Sequence, residues 1–408
     1  MRITLFIALL GVAGLILPNA KAQQTEVVRR QFLNYQAKAE KGDPEGQFQL
    51  GGCYKFGEGV AQHPVLATQW FRKAAEQNHA GAQHNLGVCY LNGEGVKHDD
   101  AEAVNWFRKA AEQNFALSQN NLGACFAFGK GVATNFMESV RWFRKAAEQN
   151  NAEAQYQLGN CYREGRGVTT DPPAAVQWYL KAAGQNHAGA QFHLGRCFAE
   201  GRGVVKDFAE AVEWYLLAAQ QNYAQAQHNL GVLYYDGRGV AQDHAESVRW
   251  FRQAAQQNLA KSQHNLGVCY RDGQGVPRDF VFAAEWFRKA AQQNHAQAQT
   301  NLGQAYDVGE GVPKDAAEAV KWYRRAAEQN EPMAQNNLAS CYYSGVGVEK
   351  NLVEAYAWFG LAAREIAAAA KDRATLGQLL SAEQIFDGTR RTRELRAQIE
   401  ARLNSGSR

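Results

Sequence analysis

Residues 80–115 read AGAQHNLGVCYLNGEGVKHDDAEAVNWFRKAAEQNF, and this stretch decides the fold. Its first part places small or apolar residues at Ala82, Leu86, Cys89 and Tyr90, the i, i+4, i+7, i+8 spacing of one helical face. Gly93-Glu94-Gly95-Val96 ends that helix, because glycine tolerates the positive φ that a tight reversal demands. Asp99 followed by Glu102 opens a second helix, in which the aspartate side chain accepts from the exposed amide of the third helical residue. This helix runs through Trp106-Phe107-Arg108-Lys109-Ala110-Ala111 and stops at Asn114, a residue type suited to the left-handed C-terminal cap.

The same hairpin recurs along the chain. Leu50, Leu86, Leu122, Leu158, Leu194, Leu230, Leu266, Leu302 and Leu338 fall at a constant interval of 36, which gives nine tandem units. The nine tryptophans share a second column, Trp70 to Trp358, each followed by Phe or Tyr, and a third column is aromatic from Tyr54 and Tyr90 to Tyr342. These columns hold more than half of the aromatic residues, so they are expected to form the core of a stacked solenoid. The capping pair recurs as Asn135/Glu138, Asp207/Glu210, Asp243/Glu246, Asp315/Glu318 and Asn351/Glu354, and the stop is Gly42 in the first case and Asn from Asn78 to Asn330 thereafter.

The pattern Ala-x-Ala-x-x-x-Leu-Gly-x-x-Tyr-x-x-Gly-x-Gly-Val, then Asp-x-x-Glu-Ala-x-x-Trp-Phe-x-x-Ala-Ala, resembles the Sel-one-like repeat, a relative of the tetratricopeptide repeat, from about Gln36 to Ile366. The resemblance implies an all-α, right-handed superhelical solenoid of helix-turn-helix repeats. It also implies a protein-binding adaptor, in bacteria often of the envelope or the host interface. Some secreted relatives carry two cysteines per repeat, bridged within the unit, and bind β-lactam compounds; the second cysteine is missing here.

The ends depart from the repeat. Arg2, the apolar run from Leu5 to Leu17 and the small-x-small triplet Ala20-Lys21-Ala22 read as a secretory leader over residues 1–22, cut before Gln23. The run is too short for the roughly 20 apolar residues a bilayer demands, and no membrane span is expected after cleavage. Residues 23–41 read as an N-terminal capping helix, 42–366 as the nine repeats, and 367–408 as C-terminal capping helices with a basic tail rich in arginine (Arg390, Arg391, Arg393, Arg396). The expected location is therefore periplasmic or secreted. With 46% hydrophobic and 21% charged residues the chain is ordinary globular material, and a net charge of +4 argues against nucleic acid as a partner.

Chemistry finds little support in the residues. The seven cysteines (Cys53, Cys89, Cys125, Cys161, Cys197, Cys269, Cys341) occupy one column that Leu233 and Ala305 complete, which marks a buried packing position. Neighbouring helices lie roughly 8–10 Å apart, beyond the ~7 Å Cα separation a disulfide can bridge. Histidines fall in two columns, His84, His228 and His264 in one and His79, His187 and His295 in the other, and are expected as solvated surface groups without metal-ligand spacing. The Gly-x-Gly turns lack the strand and third glycine of a dinucleotide loop, and Ser-x-x-Lys is absent. No catalytic residue, metal or cofactor is expected.

What varies between repeats is more informative. Taking each repeat's leucine as zero and about 100° per residue, the positions two before, two after and five after it lie roughly 140–200° round the helix, opposite the core. They carry Phe48, His84, Tyr156, Phe192, His228 and His264 in the first set, Arg196 in the second, and Arg163, Tyr235, Arg271 and Tyr343 in the third. The tetratricopeptide resemblance places this helix on the concave face, and these side chains suit an extended protein or peptide partner, or a cell-wall glycan. The leading expectation is a non-catalytic interaction scaffold; the alternative is a peptidoglycan- or β-lactam-binding envelope protein with hydrolase activity. A further invariant column, Gln47 to Gln335, sits about 60° from the leucine and is expected to bond the neighbouring repeat as a structural ladder.

Overall fold

The computed structural model describes the backbone of residues 17–405 and side chains from residue 26 onward. The expected leader lies outside the described residues apart from 17–22, which begin the first helix. Among the described residues there are 21 helices and no strand. Helix α1 (Leu17–Glu40) precedes nine pairs, each a first or A helix and a second or B helix: α2 (Pro44–Phe56) and α3 (Pro64–Glu76), α4 (Ala80–Asn92) and α5 (Asp100–Glu112), α6 (Ala116–Phe128) and α7 (Phe136–Glu148), α8 (Ala152–Glu164) and α9 (Pro172–Gly184), α10 (Ala188–Glu200) and α11 (Phe208–Gln220). The series continues with α12 (Ala224–Asp236) and α13 (His244–Gln256), α14 (Ala260–Asp272) and α15 (Phe280–Gln292), α16 (Ala296–Val308) and α17 (Ala316–Ala327), α18 (Pro332–Ser344) and α19 (Leu352–Ala362), and ends with α20 (Ala367–Gly377) and α21 (Ala382–Ser405). The chain divides into two compact units, residues 1–191 with 202–205 and residues 192–201 with 206–408.

The caps form where the residues dictate. Asp99 Oδ1 accepts from the Glu102 amide at 3.0 Å, and Asp243, Asp315 and Asn351 do the same for their own helices. Glu102 does not fold back on its cap; its Oε1 accepts from Trp106 Nε1 at 2.8 Å. Asn78 to Asn330 all take φ between 63° and 66°, the left-handed stop expected of them.

Within each unit the core centres on the leucine column and on the aromatic that follows tryptophan. Leu86, Leu122, Phe71, Phe107 and Tyr179 are fully inaccessible. The tryptophans lie at the margin of this core, and Trp70, Trp178, Trp214 and Trp286 are only half-buried. In several repeats the lysine three positions on covers the ring, as Lys73 does Trp70 at 3.9 Å and Lys109 does Trp106 at 4.0 Å. The glycine after the leucine in the first eight repeats lets the two helices approach: a Cβ on Gly87 would stand 2.7 Å from the Phe107 ring. The tyrosines of the third aromatic column are half-buried and tie repeats together through their hydroxyls, Arg144 donating to Tyr162 at 2.9 Å and Arg252 to Tyr270 at 3.1 Å.

The glutamine column forms the expected ladder. Gln83 Nε2 donates to Ala75 O at 3.2 Å and to Asn78 Oδ1 at 3.1 Å, both in the preceding repeat, and Gln83 Oε1 accepts from Gln113 at 2.7 Å. Gln119 with Gln149 and Gln263 with Gln293 repeat the arrangement. Each stop asparagine thus turns the chain with its backbone and accepts with its side chain, which explains why asparagine stands there and not glycine.

In the first unit, α1 covers the exposed side of α2, with Phe32 and Ala39 packed on Leu50 and Cys53. In the second, α21 lies on α19: Leu395 and Ile399 are buried, Arg391 Nε meets Glu354 at 2.7 Å, and Arg390 pairs with Asp387 and Glu394. Of the tail arginines, Arg391 is therefore committed to this packing, while Arg390 pairs within α21 itself.

Candidate functional site

The A helices carry the residues that vary, but their surroundings differ from the expectation. The column two before the leucine is not a solvent face. Phe48 packs 6.1 Å from Phe71 and stacks on His79 at 4.6 Å; Tyr156 does the same with Tyr179 and His187, at 6.1 and 4.6 Å. Phe192 is buried among Tyr215, Tyr223 and His193, so it offers no surface to a partner. A wheel drawn on one helix gives the direction of its own B helix, but not the shadow of the next A helix, whose first residue closes over this column.

The histidines of the two columns are likewise structural and not simply solvated. His84 Nδ1 lies 2.9 Å from Ser118 Oγ, His228 Nδ1 2.9 Å from Ser262 Oγ, and His264 Nε2 3.0 Å from Asn301 Nδ2, each reaching into the next repeat. Burial pushes all three imidazoles down to about 4. His79, His187 and His295 are helix caps whose Nδ1 accepts from the amides of Ala82, Ala190 and Ala298.

The cysteines are free thiols and six of the seven are buried. Burial raises Cys125, Cys161 and Cys341 to about 11 and Cys269 to about 12. Among the described residues no three His, Cys, Asp or Glu side chains converge on a point that could hold a metal ion.

Of the remaining predicted residues, Arg163 folds onto the Tyr179 hydroxyl at 3.1 Å, Arg196 pairs with Glu200 at 3.2 Å, and Tyr343 is 43% exposed. In the second unit three clefts follow one another along the A helices. One of about 290 Å³ is lined by Tyr235, Phe251 and His264. The next, about 550 Å³, holds His228, Lys261, His264, Arg271, His295 and Gln304. The third, about 530 Å³, is bounded by Gln304, Asp307, Glu310, Asn337, Ser340 and Ser344. Four predicted residues (His228, Tyr235, His264, Arg271) thus come together here, while Phe48, His84, Tyr156 and Arg163 belong to the first unit. Lys261, Asn265 and Asn301 escaped the sequence reading because they flank the three columns considered. For Lys261 the signal was the same variability, since its position carries Glu45 and Glu153 in other repeats, whereas Asn265 and Asn301 share a column that is mostly asparagine and gave no such signal.

The Sel1 repeat model matches nine consecutive segments, residues 44–79, 80–115, 116–151, 152–187, 188–223, 224–259, 260–295, 296–331 and 332–365. This chain belongs to the Sel1 repeat family. Among solved structures, a protective antigen of uropathogenic Escherichia coli that displays an SLR fold is 32% identical, with 92% of this chain and 97% of that chain covered and a TM-score of 0.54. A Sel1 repeat protein from Oxalobacter formigenes is 33% identical over 78% of this chain and 93% of its own, with a TM-score of 0.58. No curated protein matches the chain. Sel1 repeats generally mediate protein–protein interaction, and the fold is typically non-catalytic. Among the described residues no helix is long and apolar enough to cross a membrane.

Proposed function

We propose that this Sel1 repeat protein is a non-catalytic scaffold, exported to the periplasm or beyond, that binds a protein partner along its A-helix face. One contrast carries the reading. The core, caps and glutamine ladder are held nearly constant from repeat to repeat, while the A-helix face varies along the array and, in the second unit, opens into successive clefts lined by amide, hydroxyl, imidazole and charged groups. A face that served only solvation would not call for aromatic Tyr235 and Tyr343 at its surface. Export rests on Arg2, the apolar run and Ala20-Lys21-Ala22.

Crosslinking pull-down from intact cells tests the scaffold, comparing the native chain with a variant carrying Tyr235→Ala, Arg271→Ala, Gln304→Ala and Tyr343→Ala whose thermal melting is unchanged. A client captured by the first and lost by the second supports the reading. Identical client sets from both would sink it. Fractionation with N-terminal sequencing tests export: a mature chain starting at Gln23 is expected, and a cytoplasmic chain retaining its leader refutes that half.

A further inference from the structure

Repeats 1, 4 and 7 each begin their following A helix with a histidine cap, and comparing the three isolates one missing group. His79 Nε2 meets Glu45 Oε2 at 2.9 Å, and His187 Nε2 meets Glu153 Oε2 at 3.0 Å. In both, the carboxylate stands 34 residues before the histidine. The residue in that place before His295 is Lys261. Because His295 Nδ1 accepts from the Ala298 amide, the neutral ring carries its proton on Nε2, and burial together with Lys261 holds the ring neutral. The repeat therefore keeps the donor, removes the internal acceptor and puts an ammonium in its stead.

The other charges at this cleft are already engaged. Glu331 Oε2 accepts from Thr300 Oγ1 and the Ala334 amide, and Arg271 is held by Asp272 at 2.7 Å. His264 is bonded to Asn265 and Asn301. Lys261 is exposed and, among the described residues, makes no ion pair.

We infer that the 550 Å³ cleft between α14 and α16 receives the side-chain carboxylate of an acidic residue in an extended peptide segment, bound by Lys261 Nζ and His295 Nε2. This rests on the scaffold reading and specifies its partner. A peptide fits better than a free anion because the cleft continues into its neighbours, where Asn265, Asn301, Gln304, Asn337 and Ser344 offer donors and acceptors suited to a main chain. Adjacent helices stand roughly 8–10 Å apart, the reach of about three extended residues.

The test uses the full chain and a fluorescein-labelled, acetylated and amidated peptide of alternating serine and glutamate, with its glutamine counterpart and inorganic phosphate as competitor. At neutral pH the glutamate peptide is expected to bind at least about tenfold more tightly than the glutamine peptide. Lys261→Glu, which restores the pairing of repeats 1 and 4, should fold normally and lose that preference. His295→Asn keeps a cap of the kind Asn151 provides and should weaken the glutamate peptide several-fold. Equal binding of the two peptides, or a preference that survives Lys261→Glu, overturns the inference. Displacement by phosphate at concentrations matching the peptide overturns the peptide assignment in favour of a free-anion site. If the quadruple face variant loses its clients while Lys261→Glu keeps them and the peptides bind alike, this inference fails and the scaffold stands; identical client sets from native chain and face variant fail the scaffold itself.

Discussion

The second glycine of each Gly-x-Gly turn performs two tasks, and Gly131→Ala separates them from the one task of Gly129. Gly131 has φ +66°, and a Cβ on it would fall within 3 Å of the Asp100 carbonyl and 2.7 Å from Ala101 N, at the start of α5 in the preceding repeat. Gly129 has a similar φ of +68°, but its Cβ would meet only the Thr134 hydroxyl at 2.6 Å, a side chain that can rotate away. Left-handed backbone costs an alanine roughly 1–2 kcal/mol, and that should be nearly the whole effect of Gly129→Ala. Gly131→Ala adds displacement of backbone at an inter-repeat contact and should cost about 3 kcal/mol or more. A repeat array need not unfold in one step, so native-state hydrogen exchange of the amides of α5, α6 and α7 is the assay of choice, with thermal melting as a global check. Gly131→Ala should accelerate exchange on both sides of the junction, and Gly129→Asn should be close to neutral because asparagine tolerates this region. Equal losses for Gly129→Ala and Gly131→Ala would refute the reasoning, since strain in φ would then account for both.

Acid should weaken the fold through its imidazoles: His84, His228 and His264 sit near 4 folded and about 6.5 unfolded, so their contribution is complete above pH ~6.5 and is lost as pH falls toward 4. Each accounts for roughly 2–3 kcal/mol of that loss, urea titration across the window should show it, and a triple His→Gln variant should flatten the curve; an unchanged slope in that variant refutes it. Gln119→Leu removes three hydrogen bonds, those its Nε2 donates to Ala111 O and Asn114 Oδ1 and the one its Oε1 accepts from Gln149 Nε2, and at roughly 1 kcal/mol each should cost about 2–3 kcal/mol, against about 1 for Gln149→Ala at its exposed position; equal losses by chemical denaturation would dismiss the ladder. Native protein should show little fast thiol reaction with a chromogenic disulfide at pH 8, because burial and raised pKa values keep the thiols protonated, whereas the denatured chain should expose all seven; rapid reaction of the native chain refutes the packing role.

The fold was legible because its determinants are local and repeated nine times. Leu86, Trp106-Phe107, Asp99 and Asn114 each declare their role through spacing and residue chemistry, and the tandem copies average away the noise that obscures a single hairpin. The site was legible only in part, for a geometric reason. Phe192 and His84 lie opposite the leucine on their own helices, yet a neighbouring A helix buries them, and that neighbour appears on no single-helix wheel. Lys261 shows what could have been read further. Its significance comes from setting it against Glu45 and Glu153 in register, with His79 and His187 as the partners left behind. In a repeat protein, function is written as departure from the protein's own pattern, and a departure that removes an acceptor while keeping its donor marks where an external group belongs.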